Sequence, residues 1–471
     1  MRVGLVIPPS PFLLDDKVFV SLGILKVAAS LEMRGHAVEV IDLAGVQAYE
    51  DAVSSVSLPA VVGITATTPQ MPAATKLAAR LRESGSKVIL GGPHATVVHA
   101  AAKKGVPRAV SALSGLMDIA DIVVTGDGED AIEAAIIAEP GTLIDADDPS
   151  KPWFMTNERL DKTPWPCRHL VDLDSYHYTI DGARATSLVC QLGCPFGCAF
   201  CSGRSSPMLR RIRSRSTDNV LGEVANIHQT YGYEGIQFYD DELNVSRSML
   251  SLMHGLAELG RERGVEWKLR GFIKSELFTR EQADAMREAG FRWILVGFES
   301  GSPRILENIR KQATVEDNDR CLETAHAAGL KVKALMSLGH AGETVETVNQ
   351  TCDWLLRTKP DDFDATVITP YPGCPYYDAA VETDPGVWTF AAKSGDRLHA
   401  EEVDYTTTAD YYKGAPGAYV SHVWTDELSR GDLVSLRDGL EVDVRAALGI
   451  AFPTARTASV EQSMGQSRSA A

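Results

Sequence analysis

The chain has 471 residues, enough for two or three units that each bury their own core. Its 46 lysines and arginines stand against 63 aspartates and glutamates, a net charge of −17, which argues against a nucleic-acid partner and suits a cationic small molecule or simply a well-solvated surface. No run of about 18 apolar residues occurs, and Met1-Arg2-Val3-Gly4-Leu5-Val6-Ile7 leads straight into a strand pattern, so no membrane span or secretory leader is expected and the cytoplasm is the expected location.

Residues 3–7 form a short apolar run closed by Pro8-Pro9, and residues 22–31 have helical spacing before Gly35. Further strand patterns follow at 37–43, 61–66, 87–90 and 121–125, the last two ending in Gly91-Gly92-Pro93-His94 and Gly126-Asp127-Gly128-Glu129. Apolar strands separated by helices predict a parallel sheet covered on both faces, a Rossmann-like α/β domain over residues 1–145. Glycines just past strand ends let backbone approach a ligand at the carboxyl edge. None of these turns reads G-x-G-x-x-G, so a dinucleotide is not supported. Residues 146–183, with Lys151-Pro152-Trp153 and Pro164-Trp165-Pro166, read as a linker between domains.

The strand–helix alternation then resumes, with strand patterns at 185–192, 235–241, 266–273, 293–300, 331–339 and 363–369. The helix opening at Thr279 carries Gln282 three residues on, a capping box, and stops at Gly290. Six β/α units in series predict a partial (β/α)6 barrel over residues 184–378, with chemistry at the carboxyl ends of its strands. Residues 379–453 are expected to form a small C-terminal cap with a helix over 425–448, and residues 454–471, rich in Ser, Ala and Gln, a disordered tail.

Four of the eight cysteines, Cys190, Cys194, Cys198 and Cys201, crowd into one short stretch, which in a cytosolic chain points to metal rather than disulfides. Cys194, Cys198 and Cys201 have spacing that can bring three thiolates around an iron–sulfur cube and leave its fourth iron open. A zinc knot would need a fourth ligand, for which Cys190 is the candidate; alternatively Cys190 points into the preceding strand as a small apolar residue.

This C-x3-C-x2-C stretch, with Phe200 before its last cysteine and set after the first strand of a partial barrel, resembles the radical S-adenosylmethionine (SAM) superfamily. The resemblance implies that the three cysteines hold a [4Fe-4S] cluster whose open iron chelates SAM and whose electron releases a 5'-deoxyadenosyl radical. It also places Tyr239-Asp240-Asp241-Glu242 where the family receives the SAM ammonium, and Glu299 of Gly297-Phe298-Glu299-Ser300-Gly301 near the SAM ribose. Phe200, Tyr239, Asp240, Glu242 and Glu299 are therefore cofactor-binding candidates, the acidic ones reading otherwise as solvated turns. Gly339-His340-Ala341-Gly342-Glu343-Thr344 and Tyr371-Pro372-Gly373-Cys374-Pro375 are similar to the family's G-x-P-G-E-T and P-Y-P-G-T-P endings, with His340-Ala341 and Cys374 as departures. Arg215 and Arg270, with Arg213, are candidates for the SAM carboxylate or for packing pairs. Lys331 and Lys333 share one face of the fifth strand, which looks either into or out of the barrel.

A Rossmann-like domain ahead of such a barrel resembles the class of radical SAM enzymes with a cobalamin-binding domain. The D-x-H-x-x-G signature is absent, so cobalamin either binds without a protein ligand or has been lost from this domain, and His94 is either a domain-contact residue or a cobalt ligand. Within the class, the chain resembles the radical 1,2-diol dehydratases of antibiotic biosynthesis, which implies a lyase reaction on an aminoglycoside such as paromamine; a compact cap and an acidic surface favour that reading, with Asp241, Lys333, Asp364 and Tyr371 as acid–base candidates. The alternative is cobalamin-dependent C-methylation. A cluster-based sensor would not need the SAM-like strand ends. No flavin or second-cluster signature occurs, so a flavodoxin-like partner is expected to supply electrons.

Overall fold

A computed structural model describes residues 1–412, 414 and 416–452; the tail expected over 454–471 lies outside them. The first domain is a six-stranded sheet of β1 (Arg2–Ile7), β2 (Ala37–Asp42), β3 (Val61–Thr65), β4 (Lys87–Gly91), β5 (Ile122–Gly126) and β6 (Thr142–Ala146), ordered β2-β1-β3-β4-β5-β6 and parallel throughout. Alternate side chains serve opposite faces. Val3, Leu5 and Ile7 pack with the helix Leu22–Met33, whereas Val6, Val62 and Ile64 pack with the helix Met71–Glu83. The sequence expects five strands here; β6 is the sixth, a five-residue edge whose apolar run is broken by Asp145.

The second sheet comprises β7 (Thr179–Ile180), β8 (Ala183–Leu188), β11 (Gly235–Phe238), β12 (Lys268–Ile273), β13 (Phe291–Glu299), β14 (Lys331–Leu338) and β15 (Asp362–Val367). Its order is β15-β14-β13-β12-β11-β8-β7; the six long strands run parallel and β7 pairs antiparallel with β8. This is the expected half-barrel. Between β8 and β11, β9 (Gln191–Leu192) and β10 (Arg213–Ser214) form a separate antiparallel pair that carries the cysteine loop. Gly290 ends the helix Arg280–Ala289 with φ of 105°, and a Cβ there would lie 2.5 Å from the Trp267 carbonyl oxygen, so the stop residue has to be glycine.

The stretch expected to be a linker is packed structure. It holds the helix Asn157–Lys162 and β7, and the buried Tyr178 hydroxyl donates to Gln237 Oε1 at 3.0 Å. Beyond the barrel, β16 (Val381–Asp384), β17 (Val387–Ala391), β18 (Arg397–Glu401) and β19 (Val423–Thr425) make an antiparallel sheet. Because residues 423–425 pair with β18, the final helix begins at Arg430 under a Ser429 cap rather than at Thr425, and it packs on β15 and the helix Val345–Thr358. Among the described residues no helix is long and apolar enough to cross a membrane.

Candidate active site

The β9–β10 pair sets both ends of the cysteine loop. Gly193, with φ of 88°, lies so close to the Arg211 backbone that a Cβ would meet the Arg211 oxygen at 2.1 Å. Cys194 N–H donates to Leu209 O at 3.0 Å, Ala199 N–H to Ile309 O at 2.8 Å, and Arg204 Nη1 to Cys194 O at 3.0 Å. Cys198 is buried, Cys194 and Cys201 are partly so, and all three thiols are free. Burial pushes the Cys198 thiol up, and the nearby Lys311 and Lys274 ammonium groups pull it down.

This donor set fits an iron–sulfur cluster better than a single ion. Among the described residues only one group of three potential ligand atoms lies within 4.8 Å of one another, and it contains none of these cysteines. A lone zinc, with Zn–S at about 2.3 Å, would draw its sulfurs closer together than that. Cys190 is not a spare ligand either. Its thiol donates to Asp240 Oδ1 at 3.0 Å and its N–H to the same carboxylate at 3.1 Å.

The ends of β11, β12 and β13 bring Glu242, Lys274 and Glu299 to the loop, and Lys311 joins them from just past the helix Pro303–Asn308. Burial raises the Glu242 carboxyl to about 7 against the pull of Lys311 and Lys274, and its buried Oε2 has no hydrogen-bond partner. Lys274 Nζ pairs with Glu276 at 2.6 Å and stands 4.2 Å from the centre of the Phe196 ring. Glu299 ends β13 at a register shift, with φ of 67°, a left-handed conformation that costs a non-glycine residue about 1 kcal/mol or more. Its carboxylate accepts from Lys311 Nζ at 3.0 Å and Ser337 Oγ at 2.8 Å.

Ser337 Oγ is also 2.8 Å from His340 Nε2, and His340 Nδ1 is 3.3 Å from the Tyr376 hydroxyl. All four groups are satisfied when Tyr376 donates to Nδ1, Nε2–H donates to Ser337 and Ser337 donates to Glu299. Burial lowers His340 to about 4, with Glu299 opposing, so the ring is neutral near pH 7. Phe200 packs on it at 5.4 Å between centroids. The only sequence signal for His340 was its departure from the strand-end motif. Lys274 and Lys311 lie outside any motif and come together by folding, Lys274 Nζ donating to Lys311 O at 3.1 Å.

Several sequence candidates lie elsewhere. Asp240 is committed beneath the loop, accepting from Cys190 and Gln191, and burial raises it to about 7. Asp241 braces the loop by accepting from Gly193 N–H at 2.8 Å. Arg215 is spent on Glu223 at 2.6 Å and Val189 O at 2.8 Å, and Arg213 on Asp127 of the first domain, so neither is free for a SAM carboxylate. Arg270 stacks 5.7 Å from Trp293 in register with Gln237, in the amino half of its strand and away from the carboxyl edge. Tyr239, 39% exposed, sits between Phe19 and Phe272 where the first domain meets the barrel.

The four acid–base candidates do not form one constellation. Lys333, fully buried, pairs with Asp362 at 2.8 Å and Asp364 at 3.2 Å, and Arg445 of the last helix reaches the same carboxylates at 3.2 and 3.6 Å. Tyr371 stands against Tyr405 and Tyr411, and burial pushes its phenol well above the ordinary range.

The first domain touches the loop directly. A Cβ at Gly373, whose φ is 83°, would lie 2.6 Å from Ser202 O and 3.3 Å from Val97 O, and Lys104 Nζ donates to Ser205 Oγ at 2.7 Å. His94 Nδ1 is 3.1 Å from Thr68 Oγ1 and its ring faces Tyr405 at 6.2 Å, the domain-contact arrangement; burial lowers it to about 4.

Comparison with known proteins adds to this geometry. Residues 188–355 match the Radical SAM superfamily and residues 17–136 the B12 binding domain. An uncharacterised methyltransferase of Pyrococcus horikoshii is 28% identical over 396 residues, 81% of this chain and 83% of its own. The anaerobic magnesium-protoporphyrin IX monomethyl ester cyclase of Rubrivivax gelatinosus is 24% identical over 326 residues, 67% of this chain and 57% of its own. The solved structure of TsrM, a radical SAM methyltransferase of Kitasatospora setae with cobalamin and a [4Fe-4S] cluster bound, shares the fold with a TM-score of 0.66 at 18% identity, over 98% of this chain and 90% of that one. With its cysteine loop, half-barrel and preceding parallel-sheet domain, the chain belongs to the radical SAM superfamily, in the class with an N-terminal B12-binding domain, and is a radical SAM enzyme.

Proposed function

We propose that this protein is a cobalamin-dependent radical SAM C-methyltransferase acting on a small polar molecule. The observation that carries the reading is the seating of the B12-binding domain on the cysteine loop, with Val97 and Ser202 converging on Gly373. The carboxyl edge of the first sheet is where an open α/β sheet takes its ligand. Gly92 and Gly126, with φ of 100° and 87°, stand at the ends of β4 and β5 there, where a Cβ would run into the chain's own backbone at Ala66 and at Ala146–Asp147. Among the relatives, the methyltransferase matches over most of its own length and the cyclase over little more than half.

When bound, the cluster and SAM supply a hydrogen-abstracting radical and cobalamin supplies the methyl group. Cys194, Cys198 and Cys201 hold the iron, while Lys274 and Lys311 offset the charge of buried thiolates. Glu242, with an unpartnered carboxylate oxygen beside the loop, is the acceptor for the SAM ammonium, which would also keep it ionised. Glu299, held by Lys311 and Ser337, is oriented to accept from ribose hydroxyls. Phe200, fixed by His340, walls the cofactor side. Tyr239 lines the space where substrate would meet both domains. The net charge of −17 suits a cationic substrate, and a flavodoxin-like donor is the expected reductant.

The dehydration reading loses its grounds. TsrM matches over nearly the full length of both chains, so a short segment after the barrel does not argue against methylation, and Lys333 and Asp364 are engaged in buried ion pairs. The test is anaerobic reconstitution with iron, sulfide and hydroxocobalamin, desalting, and incubation with SAM and reduced flavodoxin. About one cobalt per chain, with formation of both S-adenosylhomocysteine and 5'-deoxyadenosine, is expected for this class. Cobalt-free protein that still cleaves SAM to 5'-deoxyadenosine would overturn methylation and restore radical dehydration.

A further inference from the structure

Outside the active site, one trio of side chains converges that the proposed reaction does not use. Glu32 lies near the end of the helix Leu22–Met33, and Cys167 and His169 lie in the segment that joins the two domains. Cys167 Sγ is 2.9 Å from Glu32 Oε2, His169 Nε2 is 3.3 Å from Glu32 Oε1, and one ligand atom from each residue lies within 4.8 Å of the others. We propose that Glu32, Cys167 and His169 form a zinc site that fastens the interdomain segment to the first domain.

The local architecture builds the trio. Cys167 N–H donates to Leu25 O at 3.1 Å, and Leu25 and Glu32 are two turns apart on one helix face, so the segment is laid along that face with its thiol at the carboxylate. His169 follows two residues later in the short helical turn Arg168–Leu170 and returns to the same side. Arg168, between them, points the other way: it pairs with Glu223 at 2.6 Å and donates to Ser187 O at 2.8 Å, both in the barrel. The ion would therefore sit where one short segment grips both domains.

A thiolate, an imidazole and a carboxylate make a donor set that zinc accepts, at about 2.3 Å to sulfur and about 2.0–2.2 Å to nitrogen and oxygen. Cys167 is buried while His169 is exposed, so the ion would have protein on one side and a water ligand on the other. Binding replaces the thiol proton, which is released to solvent, and involves no redox change.

The test uses the full chain with its cluster assembled, equilibrated anaerobically with zinc sulfate and desalted. Zinc and iron are measured together by mass spectrometry, and the zinc environment by X-ray absorption at the zinc edge, which does not see iron. Cys167 also packs in the core, so the exposed His169 carries the test through His169→Gln, with Glu32→Gln alongside. The expected result is roughly one zinc per chain with a single sulfur neighbour, falling at least tenfold in both variants while iron is unchanged. Zinc near zero in the parent, or zinc unchanged in the variants but lost in Cys198→Ala, overturns the proposal, the second outcome assigning the metal to the cluster loop.

Discussion

Lys311 Nζ lies 3.0 Å from Glu299 Oε1, and both side chains are almost wholly withdrawn from solvent. Burial alone would lower the lysine, but the Glu299 carboxylate, with Cys198 and Glu242 adding to it, outweighs that and holds the ammonium above the ordinary lysine range. Removing one partner of such a pair leaves a buried charge uncompensated, which costs about 3–5 kcal/mol. Lys311→Met, which strands the Glu299 carboxylate, and Glu299→Gln, which strands the Lys311 ammonium, are therefore each expected to lose about 3 kcal/mol in anaerobic denaturant unfolding. Small losses would mean that water reaches the pair.

Replacing Cys194, Cys198 or Cys201 singly by alanine should abolish cluster retention and SAM cleavage, because three thiolates are the minimum that leaves one iron open. Cys190→Ala should keep both, since that thiol is turned onto Asp240. Iron content and visible absorbance after anaerobic desalting check the contrast; loss of the cluster in Cys190→Ala would make Cys190 a ligand.

Gly373→Ala tests the domain contact. The new methyl would lie 2.6 Å from the backbone oxygen of Ser202, next to Cys201, and the position has a positive φ. Backbone cannot yield as a flexible side chain does, so we expect a drop in melting temperature of several degrees together with lower iron occupancy. A melting drop with full iron would confine the effect to the first domain.

His340 should give stability a specific pH dependence. Its folded value is about 4, below the usual 6.5, so between these values the unfolded chain binds the extra proton and stability falls as pH falls. Relative to His340→Gln, which cannot take up that proton, the parent should lose about 2 kcal/mol between pH 7.5 and pH 5. The comparison is the unfolding free energy of both proteins at the two pH values, and a constant difference would show that His340 titrates normally in the fold.

Much of this was legible before any coordinates. The six barrel strands are apolar runs punctuated by glycines and caps, signals a few residues long, and the cysteine loop is defined by spacing within a single turn-rich stretch. Short or polar strands such as β6 and β16–β19 carry weak periodicity and become strands only because a neighbour supplies hydrogen bonds. Arg215 and Lys333 were ambiguous because a charged residue in a strand or loop is spent or free according to partners far along the chain, Glu223 for one and Asp362 and Asp364 for the other.

The amino-acid sequence by itself thus determined the domain classes and the iron-binding loop, since both rest on local periodicity and local spacing. Only the tertiary structure decided which charges surround that loop. Lys274, Glu299 and His340 come from separate strand ends and Lys311 from just past the helix Pro303–Asn308, and their pairing depends on barrel curvature and burial, which no short stretch of chain encodes.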